Sequence, residues 1–230
     1  MTTAVILGMG GLGCPAALAL AEEMPGVRLV LVDHDRVERS NLARQILFTE
    51  PDVGEPKAEV AARRLSQLVP GARAEARVQR FTPRSAPELL AGCDVLLDGT
   101  DSFETRFAAN DAACAARIPL VHGAVLGWSG QLLAVLPGQG SCLRCLFEGP
   151  PPPGALPTCA EAGVASPLCG VIGAAMASEA ARVLRGERPR TQARLHQWDG
   201  LHGTQRDVQI PRDPRCPACG LAPEAPLRHP

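Results

Sequence analysis

The stretch Ala4-Val-Ile-Leu-Gly-Met-Gly-Gly-Leu-Gly13, continued by an apolar run to Met24 and then by Arg28-Leu-Val-Leu-Val-Asp33, decides the fold. Ala4–Leu7 holds no polar residue, which predicts a short strand buried on both faces. Residues 8–13 fit G-x-G-x-x-G, and Pro15–Met24 has helical composition that stops near Pro25-Gly26. Arg28–Asp33 predicts a second buried strand, ending in an acid 20 residues past Gly13. Strand, tight turn, helix and strand in this order form a parallel βαβ unit whose site lies at the carboxyl edge of the sheet. Glycines let the chain approach a phosphate, helix N-terminal amides attract the anion, and Asp33 can accept both hydroxyls of a ribose. The motif alone specifies a bound ribonucleotide. Its plain alternative is a glycine turn that serves only strand–helix packing.

Downstream, apolar spacing predicts a helix over Lys57–Leu68, stopped by Pro70-Gly71. Strands follow at Arg73–Gln79, Asp94–Asp98 and Pro119–Ala124, with helices at Pro87–Ala91 and Phe103–Arg117 between them. Beyond Gly130 come a strand at Gln131–Leu136, a helix over Cys169–Leu184 and two late strands near Arg194–Asp199 and Thr204–Ile210. Gly149–Gly154 contains four consecutive prolines, but Cys-x-x-Cys pairs stand on both sides of it. That favours one domain over residues 1–220 with a long functional loop at about 147–166, followed by a flexible tail over 221–230.

Of 230 residues, 46% are hydrophobic and 20% charged, with a net charge of −1; mean hydropathy is +0.03. This is the composition of a soluble folded protein. Near-neutral charge and 3% aromatics without tyrosine leave no footprint for nucleic acid or anionic lipid. Residues 2–21 carry no charge, yet no Lys or Arg precedes them and glycines interrupt them, so neither a signal segment nor a membrane span is expected. A cytoplasmic location follows as the expectation, and there nine cysteines suit metal binding, nucleophilic roles or packing better than disulfides.

The basic residues are 22 Arg and a single Lys, Lys57. A chain that avoids lysine is expected to keep one where a compact ammonium is required. Lys57 follows Asp33-His-Asp35, Ser40-Asn-Leu-Ala-Arg44-Gln45 and Gly54-Glu-Pro, a set that exceeds what a dinucleotide needs. Arg44, a planar fork, and Lys57, a point charge, can together neutralise phosphoryl oxygens; the alternative is two solvated surface cations. Leu97-Asp-Gly-Thr-Asp101-Ser102 lies just past a predicted strand on the same edge. A carboxylate there, Asp101, suits Mg²⁺ beside a polyphosphate, or a helix N-cap, or both.

Cys142-Leu-Arg-Cys145 and Cys216-Pro-Ala-Cys219 supply four thiolates, the donor set of a closed structural Zn²⁺ site that staples the last segment to the domain. Redox use of the pairs is the alternative. Cys159 sits in the long loop, where a thiol can be exposed. Cys14, Cys93, Cys114 and Cys169 lie on apolar or alanine-rich stretches and are expected in the core. His34, His122, His196 and His202 show no ligand spacing and are assigned no chemistry, although His34 lies near the nucleotide edge.

Taken in order, GMGGLG, DHDRVERSNLARQ, VGEPK, LDGTDS, TCAEAGV and the paired CxxC resemble the ThiF/MoeB/HesA group of E1-like adenylyltransferases from about residue 4 to Gly220. The resemblance implies an α/β, Rossmann-like, doubly wound, mostly parallel sheet with a C-terminal antiparallel extension and a four-cysteine zinc site. It implies an ATP site made by Gly10, Gly11, Gly13, Asp33, Asp35, Asn41, Arg44, Gln45, Lys57 and Asp101. It also implies that Cys159 either joins a carrier protein or relays sulfur, as in ThiF-like members, or is a loop thiol dispensable for adenylation, as in MoeB-like members; that the partner is a ubiquitin-like sulfur carrier ending in Gly-Gly; and that the enzyme is a homodimer, with a sulfurtransferase as a further partner. The implied reaction is attack of the carrier's C-terminal carboxylate on the α-phosphorus of Mg·ATP, giving acyl-adenylate and pyrophosphate. Because the first strand is expected within five residues of Met1, the family's preceding helix, with its Arg reaching the neighbouring subunit's ATP site, is not expected here; the alternatives are that a residue such as Arg106 compensates, that a partner supplies the arginine, that the start is misassigned, or that the enzyme is slow. Two other readings stand beside this one: an NAD-dependent oxidoreductase, which needs only the glycines and Asp33, and a catalytically silent E1-like binding protein.

Overall fold

The computed structural model describes residues 2–152, 155 and 159–220, apart from the side chains of 159 and 160. Eight strands form one sheet in the order β3-β2-β1-β4-β5-β6-β7-β8. They are β1 (Thr3–Leu7), β2 (Arg28–Val32), β3 (Arg73–Arg77), β4 (Val95–Asp98), β5 (Leu120–Leu126), β6 (Ser129–Val135), β7 (Arg194–Asp199) and β8 (Thr204–Gln209). The first five are parallel. From β5 onward each pairing is antiparallel, so the expected extension is present within a mixed sheet. β1 and β4 are buried along their whole length, as apolar runs without alternation require.

Helices cover both faces: α1 (Gly13–Glu23), α2 (Lys57–Leu68), α3 (Ala86–Leu89), α4 (Phe103–Ala116), α5 (Leu143–Leu146), α6 (Cys159–Ala162) and α7 (Ser166–Leu184). α7 is long and apolar enough to cross a membrane, but it packs on α1, β4, β5 and β6 as the central helix of one core. A second core on the opposite face gathers Phe81, Leu89, Phe107, Ile118 and the cysteines Cys142, Cys216 and Cys219.

Two helices begin earlier than the sequence suggests. α1 starts at Gly13 rather than Pro15, and α7 at Ser166 rather than Cys169. In both, a proline lies in the first turn, where its missing N–H has no intrahelical partner to lose. The short helix α5 within the first Cys-x-x-Cys pair was not expected. The loop at 147–166 is described only in part, and the tail at 221–230 lies outside the described residues.

Candidate active site

β1 is flanked by β2 on one side and β4 on the other, so successive crossovers leave it in opposite directions. A crevice opens at its carboxyl end, the topological switch point of such a sheet. Here it is a cleft of about 470 Å³. The glycine turn forms its floor. Gly8 has φ +82°, open to glycine without strain, and a Cβ on Gly13 would lie 1.8 Å from the Gly8 carbonyl oxygen. Leu12 occupies the N-cap of α1 and the first turn holds no acid, so no side chain caps the helix amides facing the cleft.

Asp33 is buried at the end of β2. Its Oδ2 accepts from the Met9 amide at 2.6 Å and its Oδ1 from the Asp35 amide at 2.8 Å, which ties it to the glycine turn. Burial pushes its pKa upward, while the two amides and Lys57 restrain the rise. Lys57 is 7% exposed and places Nζ 3.1 Å from Asp35 Oδ2. It is the first residue of α2, where a cation opposes the helix dipole, so local helix stability does not explain its presence. Arg44 donates to Asn41 Oδ1 at 2.6 Å and to the Ser40 carbonyl at 3.2 Å. Asn41 is held in turn by Glu38 at 3.3 Å. Gln45 is 3% exposed on the cleft wall, and its Oε1 has no hydrogen-bond partner among the described residues.

Across the crevice, exposed Asp101 lies at the β4–α4 turn. The N-cap of α4 is Ser102, whose Oγ accepts from the Thr105 amide at 3.4 Å, so Asp101 does not serve that role. Gly10, Gly11, Asp33, Asp35, Asn41, Arg44, Gln45, Lys57 and Asp101 all line the one cleft. Gly13 does not line it but sits beneath the turn, where its missing side chain lets the loop close.

Several residues at the cleft were missed in the sequence. Gln79, Arg80 and Phe81, past the end of β3, form one wall, and Arg80 Nη2 lies 2.6 Å from His34 Nε2. Arg106, which the sequence did offer as a compensating arginine, lines the cleft and donates to the Thr100 carbonyl at 3.0 Å. Cys169 is buried as expected but also lines the cleft, 3.2 Å from where a Gly11 Cβ would stand. His122, assigned no chemistry, is paired with Asp98 inside the protein. For Gln79, Arg80, Phe81 and His122, only the general sign, a strand ending in polar residues, could have drawn attention.

Cys142, Cys145, Cys216 and Cys219 converge on the far side of α4, their sulfurs all within 4.8 Å of one another. Sγ–Sγ separations are 3.6 Å for Cys142 and Cys216 and 3.4 Å for Cys145 and Cys219. Tetrahedral zinc with sulfurs at about 2.3 Å needs edges of about 3.8 Å, so the four thiols fit such an ion. Asn110 of α4 donates to Cys142 Sγ at 3.7 Å and accepts from the Leu143 amide at 2.9 Å, and Arg144 pairs with Asp111 through two bonds of 2.6 and 2.7 Å. Cys114, expected only as packing, is the fifth thiol here: contact with Cys114 draws the Cys142 pKa down and raises that of Cys114. Cys14 is buried as expected, whereas Cys93, expected in the core, is only partly buried against its edge; desolvation pushes the pKa of each thiol up to about 12. The side chain of Cys159 lies outside the described residues; its loop returns through Val164, which borders the cleft and bridges to Gly127.

A glycine turn, a strand-end acid and two cations lining one cleft at a switch point are the features of a Rossmann-type nucleotide-binding site. The ThiF family profile matches residues 1–218, and the chain belongs to the ThiF family. It is 46% identical over 224 residues to the sulfur carrier protein adenylyltransferase of Thermus thermophilus, spanning 95% of this chain and 82% of that one. It is 41% identical over 218 residues to the sulfur carrier protein ThiS adenylyltransferase of Escherichia coli, spanning 94% and 85%. Among solved structures, E. coli MccB with MccA-N7isoASN superposes with a TM-score of 0.84 at 21% identity, covering 95% of this chain and 67% of that one, a likeness of fold.

Proposed function

We propose that this chain, as one adenylation domain over residues 1–220, activates the C-terminal carboxylate of a ubiquitin-like sulfur-carrier protein ending in Gly-Gly. The carboxylate oxygen bonds to the α-phosphorus of ATP, the bond from that phosphorus to its bridging oxygen breaks, and pyrophosphate leaves with the electron pair. The products are acyl-adenylate and pyrophosphate. A carboxylate is already ionised near pH 7, so the step needs no general base. Catalysis reduces to orientation and charge neutralisation, which suits a cleft lined by Arg44 and Lys57.

The observation that carries this reading is Lys57, the only lysine of the chain, buried at the cleft against the helix dipole. In this reading Asp33 holds the ribose, Arg44 presents its fork in the orientation set by Asn41 and Ser40, and Lys57 faces the phosphates. Asp101 would hold magnesium, which when bound to the triphosphate shields its charge. Cys142, Cys145, Cys216 and Cys219 would hold a structural zinc that ties the segment after β8 to α4. Cys159 is proposed as the thiol of a later carrier-linking or sulfur-relay step, with a sulfurtransferase as the source, because adenylation itself uses no thiol. A four-thiolate site suits the reducing cytoplasm. The proposed homodimer is measurable by sedimentation.

The deciding experiment is carrier-dependent exchange of labelled pyrophosphate into ATP. Exchange in the wild type and its loss in Lys57→Ala support the reading. Failure of the wild type with every Gly-Gly carrier overturns it in favour of a silent binding protein.

A further inference from the structure

Asp98 closes β4 with 0% exposure, and in the sheet it stands directly beside His122 of β5, itself 4% exposed. Its two oxygens point in different directions. Oδ2 lies 2.9 Å from His122 Nδ1. Oδ1 accepts both from the Thr100 amide at 3.1 Å and from Thr100 Oγ1 at 2.7 Å. The Thr100 carbonyl accepts from Arg106 Nε at 3.0 Å, so this residue is gripped at its amide, hydroxyl and carbonyl. Gly99 packs where a Cβ would lie 3.2 Å from the Gly13 amide nitrogen, and the Thr100 methyl sits against Gly8. The turn that presents Asp101 is therefore clamped between the glycine turn and a buried acid–imidazole pair. A carboxylate removed from water this fully requires a partner, and packing alone would have been met by an apolar residue at lower desolvation cost.

We propose that Asp98 and His122 are a positioning pair: through Thr100 they fix the Gly99–Asp101 turn and so set where Asp101 meets the metal of a metal–nucleotide substrate. The proposal rests on the reading of the cleft as an ATP site given above. Neither residue lines the cleft, so both act through the turn rather than by touching substrate. Groups that orient a metal ligand from behind typically change metal affinity by ten- to a hundredfold when removed.

The test uses the full chain loaded with ATP, titrated with Mn²⁺ and followed by electron paramagnetic resonance, a readout that needs no carrier protein. In His122→Gln and in Thr100→Val the apparent dissociation constant for Mn²⁺ rises about tenfold. Binding of a fluorescent ATP analogue without divalent metal changes less than about twofold. Thr100→Val removes one hydroxyl and leaves the buried pair intact, which keeps the test decisive if His122→Gln folds poorly. A folded variant with wild-type Mn²⁺ affinity, or one weakened equally for metal-free nucleotide, overturns the proposal alone. A wild-type chain that binds no nucleotide overturns the reading of the cleft and this proposal with it.

Discussion

Lys57 Nζ lies 3.1 Å from Asp35 Oδ2, and the Lys57 amide donates to the Asp35 carbonyl at 2.9 Å, so the loop after β2 and the start of α2 are joined twice. The backbone bond aims the side chain, and the ion pair holds its ammonium at the cleft. Asp35 is about half exposed, so water solvates its carboxylate whether or not Lys57 is present.

Lys57→Ala is therefore expected to lose activity and little else. Removing a preorganised cation that faces developing charge typically lowers the rate about 10²- to 10³-fold. Stability should change by less than about 1 kcal/mol, the range of partly exposed pairs. Lys57→Arg should rescue poorly, because a planar fork does not fit a buried site built for a point charge. Pyrophosphate exchange and urea denaturation on the same variants separate the two effects.

The four-cysteine cluster should bind one zinc per chain, measurable by metal analysis of the purified protein. Cys216→Ser, which removes a donor from the last segment, should lower zinc content and Tm together. Because α4 carries Asn110 and Asp111 against the cluster and Ser102 and Arg106 toward the cleft, loss of zinc should also weaken nucleotide binding. If the metal-free protein binds ATP as the wild type does, the cluster only staples the C-terminal segment.

What the sequence made legible was local chemistry at fixed spacing. The glycine turn, Asp33, the paired cysteines and the lone lysine each carry their meaning within a few residues. The residues it hid depend on sheet order. His122 pairs with Asp98 only because β5 lies beside β4 in a register no single segment encodes. Arg80 and Phe81 reach the cleft because β3 ends at the same edge as β2. Cys169 had the composition of a core position, which it is, but the early start of α7 also brings it over Gly11.

Asp52 supplies a pH-dependent contribution away from the site. Burial opposes its charge, but the Thr49 hydroxyl at 2.7 Å, Arg64 at 3.0 Å and the Thr49 amide at 2.8 Å overcome that and bring its pKa to about 2. A carboxyl with a depressed native pKa stabilises the fold above its unfolded value, and the contribution disappears as pH falls through the native one. Asp52→Asn should be about 1–2 kcal/mol less stable than wild type at pH 7. The gap should narrow between about pH 4 and pH 2 in denaturation measured across that range.

Gln45 separates stability from binding. Its side chain is buried on the cleft wall with Oε1 unpartnered among the described residues, an arrangement that disfavours the empty protein and suits one whose ligand supplies a donor. Gln45→Met keeps the length and removes both the amide and its desolvation cost, so the free protein should gain about 1 kcal/mol. If Gln45 bonds nucleotide as the proposed function holds, the same substitution removes that bond, and the KM for ATP should rise about tenfold, the equivalent of about 1.4 kcal/mol. A variant that is more thermostable yet binds ATP more weakly marks Gln45 as a binding residue, whereas a less stable variant with unchanged KM would assign it to packing.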